Sequence, residues 1–140
     1  MATSAADARQ PGGAHYNETQ FQHWNLASTF KLGYFEGQIT KYTDRHRRKH
    51  GALDLDKAIH FTEKLIEEAC EGRALPMHSG YDGEMMDAFF KARRDLRPVE
   101  SQVILTICTW NGTYQLQLAL GLLRKLRREY DPESPDSAEG

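Results

Sequence analysis

The chain has 140 residues, of which 39% are hydrophobic and 27% are charged, and its formal net charge at pH 7 is −2. This length suits one compact domain, and the near-neutral charge argues against a general binder of polyanions such as duplex DNA. The two cysteines lack zinc-ligand spacing, which argues against a zinc site and a disulfide framework, and no apolar run reaches the roughly 18 residues of a membrane span.

The first 14 residues are small and polar and contain proline and glycine, so they cannot bury enough apolar surface to offset the entropy of ordering. We expect a disordered tail here. This end carries no basic-then-apolar signal pattern, which predicts a soluble, cytoplasmic protein with both cysteines in its core. A short helix is expected next, because Phe21 and Trp24 lie three residues apart, on one side of a helix.

A longer helix is predicted within residues 30–49. Its apolar positions follow the i, i+4, i+7 spacing of one helical face: Phe35, Ile39 and Tyr42. We expect this face to pack in the core. The same helix contains two glycines four residues apart, Gly33 and Gly37, which predict that another group approaches the backbone closely there.

Gly51 is expected to end this segment in a tight turn, and Asp54 is expected to cap the next helix, predicted over residues 55–71. The core face of that helix is expected to consist of Ala58, Ile59, Thr62, Leu65, Ile66 and Ala69. A further helix is predicted over residues 84–96, and Pro98 suits the start of the one after it.

The segment around Asn111-Gly112 allows two structures. As a turn between helices, it would follow a helix over residues 98–110 and precede a final helix capped by Thr113. As a type I′ turn, it would instead join two apolar strands in a β-hairpin. We favour the helical alternative, because a strand that reached Leu120 would leave only a stub of helix after it.

These elements predict a mainly α fold, a compact bundle of about five helices, with an α+β fold containing the C-terminal hairpin as the alternative. We expect a single helical domain over residues 15–130, between the tail at 1–14 and an acidic disordered tail at 131–140. The domain would contain a helix pair at 15–72 and C-terminal helices at 82–130. A surplus of leucines in the last helix favours a homo-oligomer: Leu116, Leu120, Leu123 and Leu126.

The most prominent chemical signal is the basic segment at residues 41–50. Its cations, on about two helical turns, are Lys41, Arg45, Arg48 and Lys49, with His46 and His50 able to gain charge. Several cationic donors this close together suit a multidentate phosphate site. A solvated helix end is also typical of this pattern, because the helix dipole favours cations in the last turn.

The sequence resembles a family of small tailed-phage proteins over residues 14–70. The matching blocks are His15-Tyr16, LGYFEGQITKY at 32–42, Arg45 and Lys49, DLDKAIHF at 54–61, and Leu65-Ile66-Glu67. The family pattern has HY near its start, a Gly-Asn-x-x-x-Lys-Tyr-x-x-Arg block, and Glu-Asp-Leu-x-Lys-Ala before an aromatic pair. This chain departs from it with Gln38 for Asn, Leu53 for Glu, and His60-Phe61 for Trp-Tyr. One branch of the family is a nucleoside monophosphate kinase without a Walker loop.

The resemblance implies a phage protein that binds a nucleotide in the cytoplasm of an infected bacterial host. Carried over by position, its site would consist of His15, Tyr16, Lys41, Tyr42, Arg45, Asp54 and Lys57, to which the basic segment adds Lys49. A kinase would place the cations on phosphate, with Asp54 holding magnesium or orienting the phosphate acceptor. The same site without turnover would make the protein an anti-defence sponge that sequesters a nucleotide or a cyclic-nucleotide immune signal.

A second enzyme class is indicated by acidic spacing. Two pairs of carboxylates resemble the ExxE…ExxD arrangement of all-α NTP pyrophosphohydrolases: Glu68 and Glu71, then Glu84 and Asp87. In those enzymes, carboxylates on adjacent helices bind magnesium around a triphosphate. Two solvated helix faces explain the same spacing without any chemistry.

Overall fold

A computed structural model describes residues 23–76 and 81–131, and these ranges contain six helices and no strand. The helices are α1 (His23–Phe30), α2 (Tyr34–Arg45), α3 (Ala52–Cys70), α4 (Gly83–Ala92), α5 (Pro98–Thr109) and α6 (Thr113–Tyr130). The predicted mainly α fold is therefore confirmed. His15, Tyr16 and the predicted N-terminal tail lie outside the described residues, as does the tail after Asp131.

Four of the helices form a bundle in which α2 packs against α3 and α5, and α6 packs against the same two helices. Short connections join α2 to α3 and α5 to α6, as is typical of antiparallel neighbours. The core between these helices includes Ile39, Leu55, Leu65, Val103, Ile107, Leu116 and Leu123. Each fully buried aliphatic side chain stabilises the fold by about 1.5–3 kcal/mol relative to exposure, so this core holds the bundle together.

The two remaining helices, α1 and α4, contact each other and cover the outer face of α5. Their side of this second cluster consists of Leu26, Phe30, Met85, Met86 and Phe89. From α5, Ile104 and Cys108 pack against them. Burial raises the pKa of the Cys108 thiol to about 12. Cys70, by contrast, is exposed at the end of α3, so the expectation of two core thiols is wrong for Cys70.

The turn between α2 and α3 depends on Gly51, which has a φ of +55°. A Cβ at this position would lie 3.2 Å from the Tyr130 ring, so both backbone conformation and packing favour glycine. The helix after it begins at Ala52, three residues earlier than predicted. Asp54 consequently lies in the first turn of α3 and is not its cap, although it still accepts a hydrogen bond from the His50 main-chain N–H at 3.0 Å.

The region around Asn111-Gly112 is a turn between helices, and the hairpin alternative is wrong. Gly112 occupies the cap position of α6, which was expected for Thr113. The four leucines of the predicted stripe are buried inside the chain's own bundle: Leu116, Leu120, Leu123 and Leu126. They therefore no longer supply a reason for self-association. In the part of the chain that is described, no helix is both long and apolar enough to cross a bilayer.

Candidate functional site

Three cationic side chains converge on the half-buried ring of Tyr42 in α2. The Arg45 guanidinium carbon lies 4.7 Å from the ring centroid, and the ammonium groups of Lys41 and Lys57 each lie 5.3 Å from it. These distances are within the range of cation–π attraction. We call Lys41, Tyr42, Arg45 and Lys57 the Tyr42 cluster; the structure thus brings together four of the residues predicted for the site.

The pairing of α2 with α3 explains why the cluster forms. Lys41 and Arg45 are one turn apart on α2, while Lys57 and Phe61 are one turn apart on α3. The Phe61 ring lies parallel to the Tyr42 ring, with 6.2 Å between centroids and 2° between planes. The aromatic contact fixes the two helices at this point, so the cations of both are held around one ring.

Asp54 positions Arg45 within the cluster. Its carboxylate is fully buried and accepts hydrogen bonds from Arg45 Nε at 3.3 Å and Arg45 Nη2 at 3.2 Å, in addition to the one from the His50 main chain. About a quarter of the Arg45 side chain stays exposed. A buried carboxylate requires such partners, since an unpaired buried charge is strongly destabilising. Asp54 thus holds the Arg45 guanidinium in position, and both of its oxygens already accept hydrogen bonds.

The second half of the basic segment faces a different part of the molecule. His46 Nε2 and Arg47 Nε each donate to Glu100 Oε2 at 2.6 Å, and the side chains of His46 and Glu100 are fully buried. Burial alone would raise the pKa of Glu100, but hydrogen bonds from His46, Arg47 and the Arg97 main chain outweigh it and hold the pKa at about 2. Tyr130 completes the network, with its hydroxyl 2.7 Å from His46 Nδ1. This network joins the ends of α2, α5 and α6.

Arg48 has its ion-pair partners outside the Tyr42 cluster. It forms ion pairs with Asp44 at 3.2 Å and with Asp95 at 2.9 Å. Asp44 is buried and additionally accepts a hydrogen bond from Arg93 Nε at 2.9 Å. Lys49 lies in the turn after α2 with an exposed side chain. The single basic face expected from the sequence is therefore divided between the Tyr42 cluster and two structural networks.

The acidic residues proposed for a pyrophosphohydrolase do not form a cluster. Glu68 and Glu71 both pair with Arg73 near the end of α3, whereas Glu84 and Asp87 are exposed on α4. Within residues 23–76 and 81–131, no group of three or more His, Cys, Asp or Glu side chains is arranged to hold a metal ion. The pyrophosphohydrolase alternative gains no support from these positions.

Sequence reasoning missed an aromatic row beside the Tyr42 cluster. The Tyr34 side chain is 66% exposed, and its ring meets Phe35 at 5.4 Å and Phe61 at 5.9 Å, nearly edge to face in both cases. Phe61 in turn lies against Tyr42. The signal was present in the spacing, because Tyr34 precedes Lys41 and Arg45 by seven and eleven residues, which places all three on one face of α2.

A cavity of about 290 Å³ lies elsewhere, between the start of α5 and the end of α6. Its lining consists of Arg97, Pro98, Val99, Lys125 and Glu129. Arg97 donates a hydrogen bond to Glu129 at 2.7 Å across this region. The charges that face this cavity are thus of both signs, unlike those of the Tyr42 cluster.

Among the described residues, the two glycines at the start of α2 do not mark the close approach of a neighbouring helix. A Cβ at Gly37 would meet nothing within 4 Å, which contradicts the expectation for this position. A Cβ at Gly33 would lie 2.7 Å from Glu36 Oε1 of the same helix. The space needed at Gly33 is therefore taken by the chain's own side chain.

Comparison with models of protein families found no match for this chain, and comparisons with curated proteins and with solved structures found none either. What can be assigned from the fold is the class of a mainly helical protein with a bundle of four helices and two flanking ones. The resemblance to the tailed-phage family stays a prediction.

Proposed function

We propose that this protein binds a nucleotide, or a similar phosphorylated compound, with its phosphates at the Tyr42 cluster. The observation that carries the proposal is the convergence of three cationic groups from two helices around one half-buried tyrosine. Guanidinium and ammonium groups are the usual protein ligands of phosphate, and a pair of them held close together makes several charge-assisted hydrogen bonds possible.

The electrostatics of the cluster support this role. Arg45 is balanced in part by Asp54. Among the ion pairs of the described residues, none includes Lys41 or Lys57. Two ammonium groups lie beside a guanidinium that is already fixed in place, so a phosphate would meet positive charge that the neighbouring carboxylates do not neutralise.

Binding without turnover is the form of this function that the geometry favours over a nucleoside monophosphate kinase. A kinase would need a group that holds magnesium or orients the acceptor, and Asp54 was the candidate for this role. Its side chain is instead fully buried, and both of its oxygens already accept hydrogen bonds from Arg45 or the His50 main chain. A binding protein that sequesters its ligand requires only the cations and the ring, both of which the cluster contains.

The test is isothermal titration calorimetry with a panel of nucleoside mono-, di- and triphosphates at low salt. Lys57→Ala should weaken the binding of any nucleotide that binds the wild type by about tenfold or more, because a hydrogen bond to a charged group is worth about 1.5–3 kcal/mol. Lys91→Ala is the matched control, since Lys91 is an exposed lysine on α4. Absence of binding across the panel, or equal losses in both variants, would refute the proposal.

Turnover is tested separately by following nucleotide conversion with and without magnesium. We expect bound nucleotide to be recovered unchanged in both conditions and binding to survive a chelator. Phosphoryl transfer that requires magnesium would instead favour the kinase alternative and would show that another carboxylate supplies the metal site.

A further inference from the structure

The aromatic row next to the Tyr42 cluster forms a continuous surface. Its four rings come from the two paired helices: Tyr34, Phe35 and Tyr42 from α2, and Phe61 from α3. Each ring contacts at least one other, and Tyr34 at the outer end exposes two thirds of its side chain. Because Tyr34 is supported by two nearly perpendicular rings, it is held in place although it is exposed.

The exposed end of the aromatic row lies on the same face of α2 as two of the cations. Tyr34, Lys41 and Arg45 follow a spacing of seven and then four residues, so they share one helical face. Eight residues separate Tyr34 from Tyr42, which corresponds to about 12 Å along a helix axis. The exposed ring is thus displaced along the helix from the site where we place phosphate.

We propose that this surface binds a single-stranded oligonucleotide, with one base stacked on Tyr34 and the strand's phosphates at the Tyr42 cluster. The inference rests on the proposed function, since it assigns the chemical class of the ligand at the same site. Surfaces that bind single strands combine cations along the backbone with aromatic side chains on which bases stack. Both components occur here within one pair of helices.

The length of the surface favours an oligonucleotide over a mononucleotide. Successive nucleotides of a stacked strand are separated by about 3.4 Å, so a distance of about 12 Å spans about three of them. A lone nucleoside monophosphate with its phosphate at the cations would leave the outer ring empty, whereas a short strand occupies both. Duplex DNA fits less well, because its bases are already stacked and unavailable to Tyr34.

Charge selects this occupant over an apolar protein partner or a second copy of the chain. Lys41 and Lys57 flank the row, and removing their ammonium groups from water against an apolar surface would be costly. A polyanion both neutralises these groups and offers flat faces to the exposed ring. The occupant that complements both halves of the surface is a strand of nucleic acid.

The experiment is fluorescence anisotropy with 5′-labelled oligothymidylates of one, two, four and six nucleotides at low salt. Affinity should rise at least tenfold from one to four nucleotides and change little beyond. Tyr34→Ala should weaken binding of the tetramer about fivefold or more and leave the mononucleotide unaffected, while Tyr34→Phe should retain tetramer binding because it retains the ring. Tyr114→Ala is the matched control, since Tyr114 is a tyrosine of similar exposure on α6.

The possible failures are distinguishable. If neither mononucleotides nor oligonucleotides bind, the proposed function itself fails. If the mononucleotide binds as tightly as the tetramer, or if Tyr34→Ala behaves like Tyr114→Ala, only the oligonucleotide inference is overturned. Sedimentation that shows a dimer lost in Tyr34→Ala, without oligonucleotide binding, would overturn it in favour of a second copy of the chain.

Discussion

The Trp110 indole N–H donates a hydrogen bond to Glu36 Oε2 over 2.9 Å, and both side chains are buried although 74 residues separate them in the chain. This bond connects the first turn of α2 to the connection between α5 and α6. It also satisfies a carboxylate that would otherwise lie unpaired beneath the surface. The start of the helix that carries the Tyr42 cluster is therefore fixed by the C-terminal half of the chain.

Trp110→Phe should lower the free energy of unfolding by about 1–3 kcal/mol, because it keeps an aromatic ring but leaves the buried Glu36 carboxylate without its donor. Urea unfolding followed by circular dichroism measures the change. Trp24→Phe is the matched control, since Trp24 is 45% exposed and its replacement should change stability by less than about 0.5 kcal/mol. Equal stabilities of the two variants would contradict this account of Glu36.

Glu100 should make the fold sensitive to acid. Its pKa is lowered from 4.5 to about 2, so its contribution to stability is complete above about pH 4.5 and is lost as the pH falls towards 2. Glu100→Gln should be less stable at pH 7, and its stability should fall less steeply than that of the wild type between pH 4.5 and pH 2. Urea midpoints across this range provide the measurement. Glu129→Gln, at an exposed partner of Arg97, should follow the wild-type profile.

Arg45 and Asp54 should be energetically coupled. Asp54→Asn leaves Arg45 without its buried counter-charge, and Arg45→Ala leaves Asp54 buried without its guanidinium. A double-mutant cycle measured by urea unfolding should give a coupling free energy of about 1–3 kcal/mol. Additive effects would mean that Asp54 is stabilised by the His50 main chain alone.

The two cysteines should differ in reactivity. Cys70 is exposed, whereas burial holds Cys108 with a pKa of about 12. Because the thiolate is the reactive species, a chromogenic disulfide reagent at pH 8 should modify one thiol per native chain and a second one only after unfolding. Cys70→Ser should abolish the native-state reaction. Modification of both thiols at similar rates without denaturant would show that the α1, α4 and α5 cluster opens readily.

Replacing either of two glycines by alanine should change the stability of the fold, with opposite signs at the two positions. Gly51→Ala should destabilise the fold by about 1–3 kcal/mol, because an L residue is strained at a φ of +55° and its Cβ would press on Tyr130. Gly37→Ala should stabilise it by about 0.5–1 kcal/mol, because this position is helical and has open space around it. Thermal melts of the two variants test the difference in sign.

Local patterns in the sequence were sufficient to predict the helices, and spacings of three and four residues placed Ile39 in the core. The structure brings Lys41, Arg45 and Lys57 together around Tyr42, because helical periodicity and a short turn determine which faces of α2 and α3 meet. The family resemblance implied these positions as a site, and their role in binding a ligand stays a prediction.

Side-chain contacts between residues far apart in the chain could not be predicted from such local patterns. His46 and Glu100 are 54 residues apart, and no spacing rule connects them, so the sequence placed His46 and Arg48 on one basic face without indicating their partners within the fold. The start of α3 was placed three residues too late because Asp54 resembles a helix cap, whereas Gly51, at a φ that glycine adopts readily, lies directly before the helix. Which carboxylate neutralises which cation depends on the packing of the whole bundle.

Tyr130, the last residue of α6, covers the turn at Gly51 and reaches His46 with its hydroxyl. The end of α6 therefore holds the turn between α2 and α3 in place, next to Arg45. A shortened chain that ends before Tyr130, or a fusion joined directly to it, would weaken these contacts and thereby disturb the Tyr42 cluster. Tags at this end belong after Asp131.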